Sequence, residues 1–287
     1  MTPFELAEPR SLADALALLD RDDPAVRPIA GGTALMLMMK AGLYRPIRLV
    51  SLRGIEPRFH RIELASNGTL HIGAMATLTA IEHSVEAERH SPSLVRAMKT
   101  LANVRVRNAA TLGGALAHAD PHLDLPPLLI ALGAKLVISS RNGERNLRLD
   151  ALYTGYLETV LRHDEIISEV TIPAADGRRT VYRKCTTRSA DDWPALGIAA
   201  NVFVADNMIT DARIVIGAAT EKPMHLVGAE AVLRGVKISD ALLKRAGDAA
   251  AKQAPVETDD RGSAAYKRQL VRVTVTRALE AAIAGAV

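Results

Sequence analysis

The chain has 287 residues, 48% hydrophobic and 24% charged, which excludes a disordered polymer and suffices for two domains with separate cores. Its net charge of +4 does not make it a nucleic-acid binder. Arg261, Lys267, Arg268, Arg272 and Arg277 fall in or just before one expected helix without interleaved aromatics, the pattern of a solvated face or a protein contact. One cysteine, Cys185, excludes an internal disulfide framework and any internal iron–sulfur cluster built on cysteines.

The first expected helix runs from Ser11, a good N-cap with Asp14 three residues on, through Leu12, Ala15, Leu16 and Leu19 at helical spacing. A strand over residues 28–30 then turns through Gly31-Gly32 into a short helix, 34–41, stopped by Gly42. Met36, Met38 and Met39 on that helix read as core filler. A strand over 48–52 closes a small α/β subdomain near residue 55. A strand over 70–74, a helix from Thr77 and another over 93–102 lead to a second Gly-Gly turn at Thr111-Leu112-Gly113-Gly114. The apolar segment 123–134 is expected as a buried helix with Pro126-Pro127 in its first turn. Strands follow over 135–139 and 166–172, and Pro173 with residues 174–178 forms the best linker in the chain. Beyond it, three strands (180–186, 198–205 and 208–217) precede helices over 229–233, 239–253 and 264–284, with Asp206-Asn207 as a hairpin turn. No repeat or low-complexity tract is present. The longest uncharged apolar run, 194–205, is too short to span a bilayer. MTPFELAEPR carries acids and no apolar signal region, so a cytoplasmic location is expected.

Residues 108–127, NAATLGGALAHADPHLDLPP, carry the strongest chemical signal. Adjacent glycines permit close backbone approach, and convergent N–H groups can hold an anion. The Ala30-Gly31-Gly32-Thr33 turn has the same character at a strand-to-helix junction, where peptide N–H groups suit a phosphate. Neither is a Walker loop or a G-x-G-x-x-G fingerprint. The pair reads as a dinucleotide site in a fold of another kind, although either Gly-Gly alone is ordinary turn punctuation. His118, Asp120, His122 and Asp124 resemble a metal cluster in spacing, but Pro121 breaks the helix that would align the two histidines.

These motifs resemble the FAD-binding medium subunit of the molybdenum hydroxylases, the flavoprotein subunits of carbon monoxide, nicotine and xanthine dehydrogenase-type complexes. The resemblance runs through residues 3–19, 27–46, 71–82 and 108–127, and continues in YRKCTTRSADDW (182–193), ARIVIGAAT (212–220) and DDRGSAAYKRQLVRVTVTRAL (259–279). It implies an α+β fold: a two-subdomain FAD-binding domain of the vanillyl-alcohol-oxidase-like (PCMH) type, then a small domain with a three-stranded antiparallel sheet and helices. The implied boundaries are 1–175, with subdomains of about 1–55 and 56–175, and 178–287. Some relatives carry an inserted iron–sulfur segment in this subunit, which a chain with one cysteine cannot.

For the site, the resemblance implies one phosphate-side loop at Ile29, Ala30, Gly31, Gly32, Thr33, Ala34 and Leu35. A second lies at Thr111, Leu112, Gly113, Gly114 and Ala115. Asp124 matches an acid that hydrogen-bonds the cofactor, though by sequence it is equally an N-cap for the following helix. Lys184 matches a lysine beside the flavin. Trp193 aligns where relatives set an apolar or aromatic side chain against the ring, although a lone tryptophan is usually core. Leu101, Ile166 and Ile167 match peripheral contacts. Relatives often carry Asp at the position of Ala34 and Asn or Asp at that of Ala115, so each alanine forgoes a hydrogen bond of about 0.5–1.5 kcal/mol. The implied cofactor is FAD. Molybdenum-pterin and two [2Fe–2S] clusters are expected on a large and a small partner subunit, in a dimer of heterotrimers that passes electrons to an external acceptor. A self-sufficient flavoenzyme of the same fold and an assembly subunit with a degenerate site are the rival readings.

Overall fold

The computed structural model describes residues 2–285, so positions 1, 286 and 287 of the expected domains lie outside the described residues. The N-terminal part builds a three-stranded parallel sheet in the order Glu5–Ala7, Arg48–Ser51, Val26–Ile29. The first strand was not expected, because two of its three residues are exposed and it offers no apolar alternation. Ser11 caps the Leu12–Leu18 helix by accepting from the Asp14 N–H, and its hydroxyl donates to the Asp14 carboxylate at 2.6 Å. Leu12, Ala15, Leu16 and Leu19 pack with Val26, Val50, Leu52, Ile55 and Phe59. Met75 and Ile166, from beyond residue 55, complete this core and tie it to the next layer.

That layer is a five-stranded antiparallel sheet ordered Ile62–Leu64, Leu70–Gly73, Ile166–Ile172, Lys135–Ser140, Gly143–Arg148. The last strand, sequence GERNLR, is a mostly exposed edge, and its charges hid it from hydrophobic periodicity. The expected 93–102 helix is shorter, Pro92–Lys99, and Ala102 adopts a left-handed conformation (φ 52°). A further helix, Val104–Ala109, then starts at Asn103, whose side chain accepts from the Val106 N–H. The 123–134 helix is Leu125–Ala131, with its prolines at the start as expected and every residue buried.

The C-terminal sheet holds the three expected long strands, Arg179–Cys185, Leu196–Ala205 and Met208–Gly217, all antiparallel. Two-residue strands at Met224–His225 and Val236–Lys237 extend it. Asp206 (φ 50°) and Asn207 (φ 57°) form the expected hairpin turn, both in the left-handed region that such two-residue turns require. Helices Val227–Leu233, Asp240–Gln253 and Ala264–Ala284 supply one side of the C-terminal core. Ala199 and Val215, on the sheet's other face, join the core that contains Leu125, Leu128 and Leu129. The middle strand is therefore buried on both faces, which is why 194–205 reads as an uninterrupted apolar run.

The basic C-terminal helix departs from a purely solvated face. Lys267 is buried and pairs with Asp259, while Arg268, Arg272 and Arg277 are exposed. Cys185 is half-buried, with Sγ 3.4 Å from the Thr274 hydroxyl. Among the described residues, no helix is long and apolar enough to cross a membrane, and no group of three or more His, Cys, Asp or Glu is arranged to hold a metal.

Candidate functional site

The two glycine elements, far apart in sequence, are in contact. A Cβ on Gly31 would lie 1.9 Å from the Ala109 carbonyl oxygen and 2.9 Å from the Ala110 Cα, so only glycine lets the first turn reach the second. On the other side, a Cβ on Gly114 would sit 3.6 Å from the Ala30 Cβ and 3.0 Å from the Thr111 hydroxyl. Gly32 bends the chain at φ 71° above the Ile29 side chain, into the Leu35–Lys40 helix.

The elements differ in what they offer. Among the described residues, no protein acceptor bonds the N–H groups of Gly31, Gly32, Thr33, Ala34 and Leu35, and all five residues are half-buried. The second element is not the open turn its sequence suggests. Leu112, Gly113, Gly114 and Ala115 are the first turn of a helix, Leu112–His118, capped by Thr111. The Leu112 and Gly113 N–H groups donate to the Ala76 and Ala74 carbonyls, at 3.0 and 2.8 Å. Gly114 donates to the Thr111 hydroxyl oxygen (3.2 Å), and Ala115 to the Thr111 carbonyl (2.9 Å). These four donors are thus spent inside the chain, and of the expected Thr111–Ala115 cradle only the Thr111 N–H lacks a protein acceptor among the described residues. Gly113 is small for packing: its Cβ would meet the Ala74 Cβ at 2.7 Å. What the second element presents is a flat approach at Gly114 and the Thr111 hydroxyl proton.

A third group lies at the seam between the five-stranded sheet's helices and the C-terminal sheet. Asp124, 4% exposed, accepts from the Tyr182 hydroxyl at 2.7 Å and from Lys184 Nζ at 3.0 Å. Lys184 also donates to the Thr100 carbonyl at 2.8 Å, one residue before Leu101. Asp124 stands at the start of its helix without a capping hydrogen bond, so its carboxylate serves the seam and not the helix end. Burial raises its carboxyl, opposed by the Lys184 charge and the Tyr182 and Lys184 hydrogen bonds. Burial likewise pushes the Tyr182 phenol well above its ordinary range, with the Asp124 charge adding to it. Gly197 makes room for this ring, since a Cβ there would lie 2.4 Å from the Tyr182 hydroxyl.

Trp193, 42% exposed, stands on the loop between the first two C-terminal strands and meets the His122 ring edge-on. Ile166 and Ile167 are buried in two different cores, and the Ile167 carbonyl lies on the packed side of Gly113, 3.4 Å from where a Cβ would stand. The structure therefore gathers Ile29 through Leu35 with Thr111 through Ala115, and Asp124 with Lys184, while Leu101 stands buried next to Thr100. Sequence reasoning missed Tyr182 and Thr100. Tyr182 was within reach, because it stands two residues before Lys184 on one strand and so shares its face.

The chain matches, over residues 2–175, the family described as the FAD binding domain in molybdopterin dehydrogenase, and over 181–282 the CO dehydrogenase flavoprotein C-terminal domain. It belongs to this family of FAD-binding dehydrogenase subunits. It is 33% identical to the nicotine 6-hydroxylase medium subunit of Paenarthrobacter nicotinovorans over 273 residues, 95% of each chain. It is 32% identical to the carbon monoxide dehydrogenase medium chain of Hydrogenophaga pseudoflava over 280 residues, 97% of this chain and 96% of that one. Among solved structures, carbon monoxide dehydrogenase from Hydrogenophaga pseudoflava superimposes with a TM-score of 0.94 at 33% identity, covering 99% of both chains. Quinoline 2-oxidoreductase from Pseudomonas putida 86 does so with a TM-score of 0.92 at 28% identity, covering 99% of this chain and 98% of that one. The α+β architecture with an FAD-binding domain, and membership in an oxidoreductase family, are thereby established.

The Gly114 geometry makes a graded prediction. Gly114→Ala adds a Cβ that only the cap hydroxyl crowds, and should retain FAD. Gly114→Val adds two methyls toward Ala30 and should abolish FAD binding in a folded chain, read as the flavin-to-protein ratio after desalting. Stoichiometric flavin in the valine variant would remove the second element from the site.

Proposed function

We propose that this chain is the electron-transfer subunit of a molybdenum hydroxylase complex. In this reading a large molybdenum-pterin subunit oxidises the substrate and a small subunit with two [2Fe–2S] clusters delivers the electrons. An external acceptor takes them onward, and the assembly is a cytoplasmic dimer of heterotrimers. FAD, when bound, supplies a centre that accepts and releases electrons singly or in pairs. The chain's own residues bind, orient and tune it.

The observation that carries this reading is the row of unpaired N–H groups from Gly31 to Leu35, set against the glycine-faced helix start at Gly114. Half-buried backbone donors without a protein acceptor suit an anion such as a pyrophosphate. The Thr33 and Thr111 hydroxyls add donors on either side. Asp124 and the Thr100 carbonyl fix the direction of Lys184, whose buried positive charge would stabilise negative charge on a reduced ring held beside it. Trp193, 42% exposed, would supply an aromatic wall and Leu101 an apolar one, with Ile166 and Ile167 as peripheral contacts.

The purified chain is expected to be yellow and to release about one noncovalent FAD per chain on denaturation. Its single tryptophan gives a second readout: FAD addition to the stripped chain should quench Trp193 fluorescence. A chain that stays colourless with added FAD would overturn the reading in favour of an assembly role. Substrate turnover by the chain alone would favour a self-sufficient flavoenzyme.

A further inference from the structure

We propose that His122 is a positioning residue that sets Trp193 against the face of the flavin; this rests on the FAD site described above. The loop of Trp193 is exposed, the Trp193 N–H donates to the neighbouring Asp192 carboxylate, and among the described residues its one aromatic partner is His122. The two rings are nearly perpendicular, at 85°, with centroids 6.1 Å apart. This edge-to-face arrangement directs the electropositive rim of one ring at the electron-rich face of the other and fixes orientation as well as distance.

His122 is itself anchored twice by one oxygen. Asp120 Oδ1 lies 3.0 Å from His122 Nδ1 and accepts from the His122 backbone N–H at 2.8 Å. Nδ1 therefore carries the proton in the bonded state, and the imidazole cannot spin about χ1 without losing that bond. Asp120 follows Ala119, the left-handed end of the Leu112–His118 helix whose first turn contains Gly113 and Gly114. The Pro121 carbonyl accepts from the Ala218 N–H at 2.9 Å, which fastens this short loop to the C-terminal sheet. Two residues after His122, Asp124 holds Lys184. One short segment, residues 119–124, thus makes two contacts: through Asp124 to the Lys184 cation, and through His122 to the indole.

Because the chain has a single tryptophan, the contact can be read directly in the full chain. Trp193 is already 42% exposed, so His122→Ala in the stripped protein should raise its acrylamide quenching by up to about 2-fold, toward that of a freely exposed indole. His122→Phe, which keeps a ring edge but not the Asp120 bond, should recover most of the protection. His122→Asn, which keeps a polar partner for Asp120 but no ring, should not. In the FAD-loaded protein, bound-flavin fluorescence should rise in His122→Ala at unchanged flavin stoichiometry and fall back in His122→Phe. In a Trp193→Leu background, His122→Ala should add nothing.

Unchanged tryptophan quenching in His122→Ala, in a chain whose circular dichroism matches the wild type, would overturn the contact. Changed quenching with unchanged flavin fluorescence would overturn the placement of Trp193 on the ring. A wild-type chain that binds no FAD would instead sink the flavin-site reading, while the quenching series still decides whether His122 orients the indole. Should His122→Ala not fold, the phenylalanine and asparagine variants carry the same comparison.

Discussion

Lys184→Met is expected to destabilise the chain by about 3–5 kcal/mol, measured as the loss in unfolding free energy in denaturant. Methionine fills the volume but leaves Asp124 buried without its cation, and the Tyr182 hydroxyl alone cannot replace it. Both side chains of the pair are less than a tenth exposed, so water does not screen the loss. The pH dependence has a definite sign. Burial already raises the Asp124 carboxyl, and removing Lys184 raises it further. A folded state whose acid has a raised pKa binds more protons than the unfolded chain, so its stability falls as pH rises. The variant should therefore be weakest at high pH and recover on acidification toward the ordinary aspartate range. Asp124→Asn in the same chain should restore most of the stability, since an amide oxygen still accepts from Tyr182 and no charge is stranded. A Lys184→Met loss below about 1 kcal/mol would mean that the seam is wet.

Gly31→Ala should lose FAD entirely while Gly114→Ala keeps it, although both add one methyl group. The difference is what each Cβ meets. At Gly31 it would fall 1.9 Å from a backbone oxygen and 2.6 Å from the attached carbonyl carbon of Ala109, neither of which can rotate away. The turn must lift off the Val104–Ala109 helix, and the N–H row moves with it. Overpacking of this kind costs about 1–3 kcal/mol, less than the loss expected at Lys184. The N-terminal sheet and its core lie outside the contact, so the variant should fold. Equilibrium dialysis against FAD, with a melting curve on the same sample, separates lost binding from lost structure. Full flavin occupancy in folded Gly31→Ala would show that the contact of the two elements is dispensable.

Much of this was legible in the sequence, because local chemistry wrote it. Ser11 with Asp14, the Gly42 stop, the Asp206-Asn207 turn and the paired prolines of Leu125–Ala131 each carry their geometry in residue type. The Gly-Gly pairs announced close approach but not its object. Gly31 is small for a helix end, Gly113 for a sheet, and Gly114 for the space beside Ala30. Nothing local could show that the Leu112 and Gly113 N–H groups would be claimed by Ala76 and Ala74, since that depends on a strand some forty residues upstream. The Asp124–Tyr182–Lys184 cluster spans about 60 residues of chain and appears only when the C-terminal sheet docks. The strands Glu5–Ala7 and Gly143–Arg148 escaped notice as sheet edges whose outer residues face water.

The seam also imposes an order of events during synthesis. Asp124 leaves the ribosome about 60 residues before the lysine that neutralises it, and domains fold as they emerge. Until residues 179–185 arrive, the nascent N-terminal half holds this carboxylate without its cation, so burying the first turn of the Leu125–Ala131 helix carries the cost of a protonated or unpaired acid. Closure of the C-terminal sheet over that helix then supplies both the cation and the phenol hydroxyl that pair with the acid.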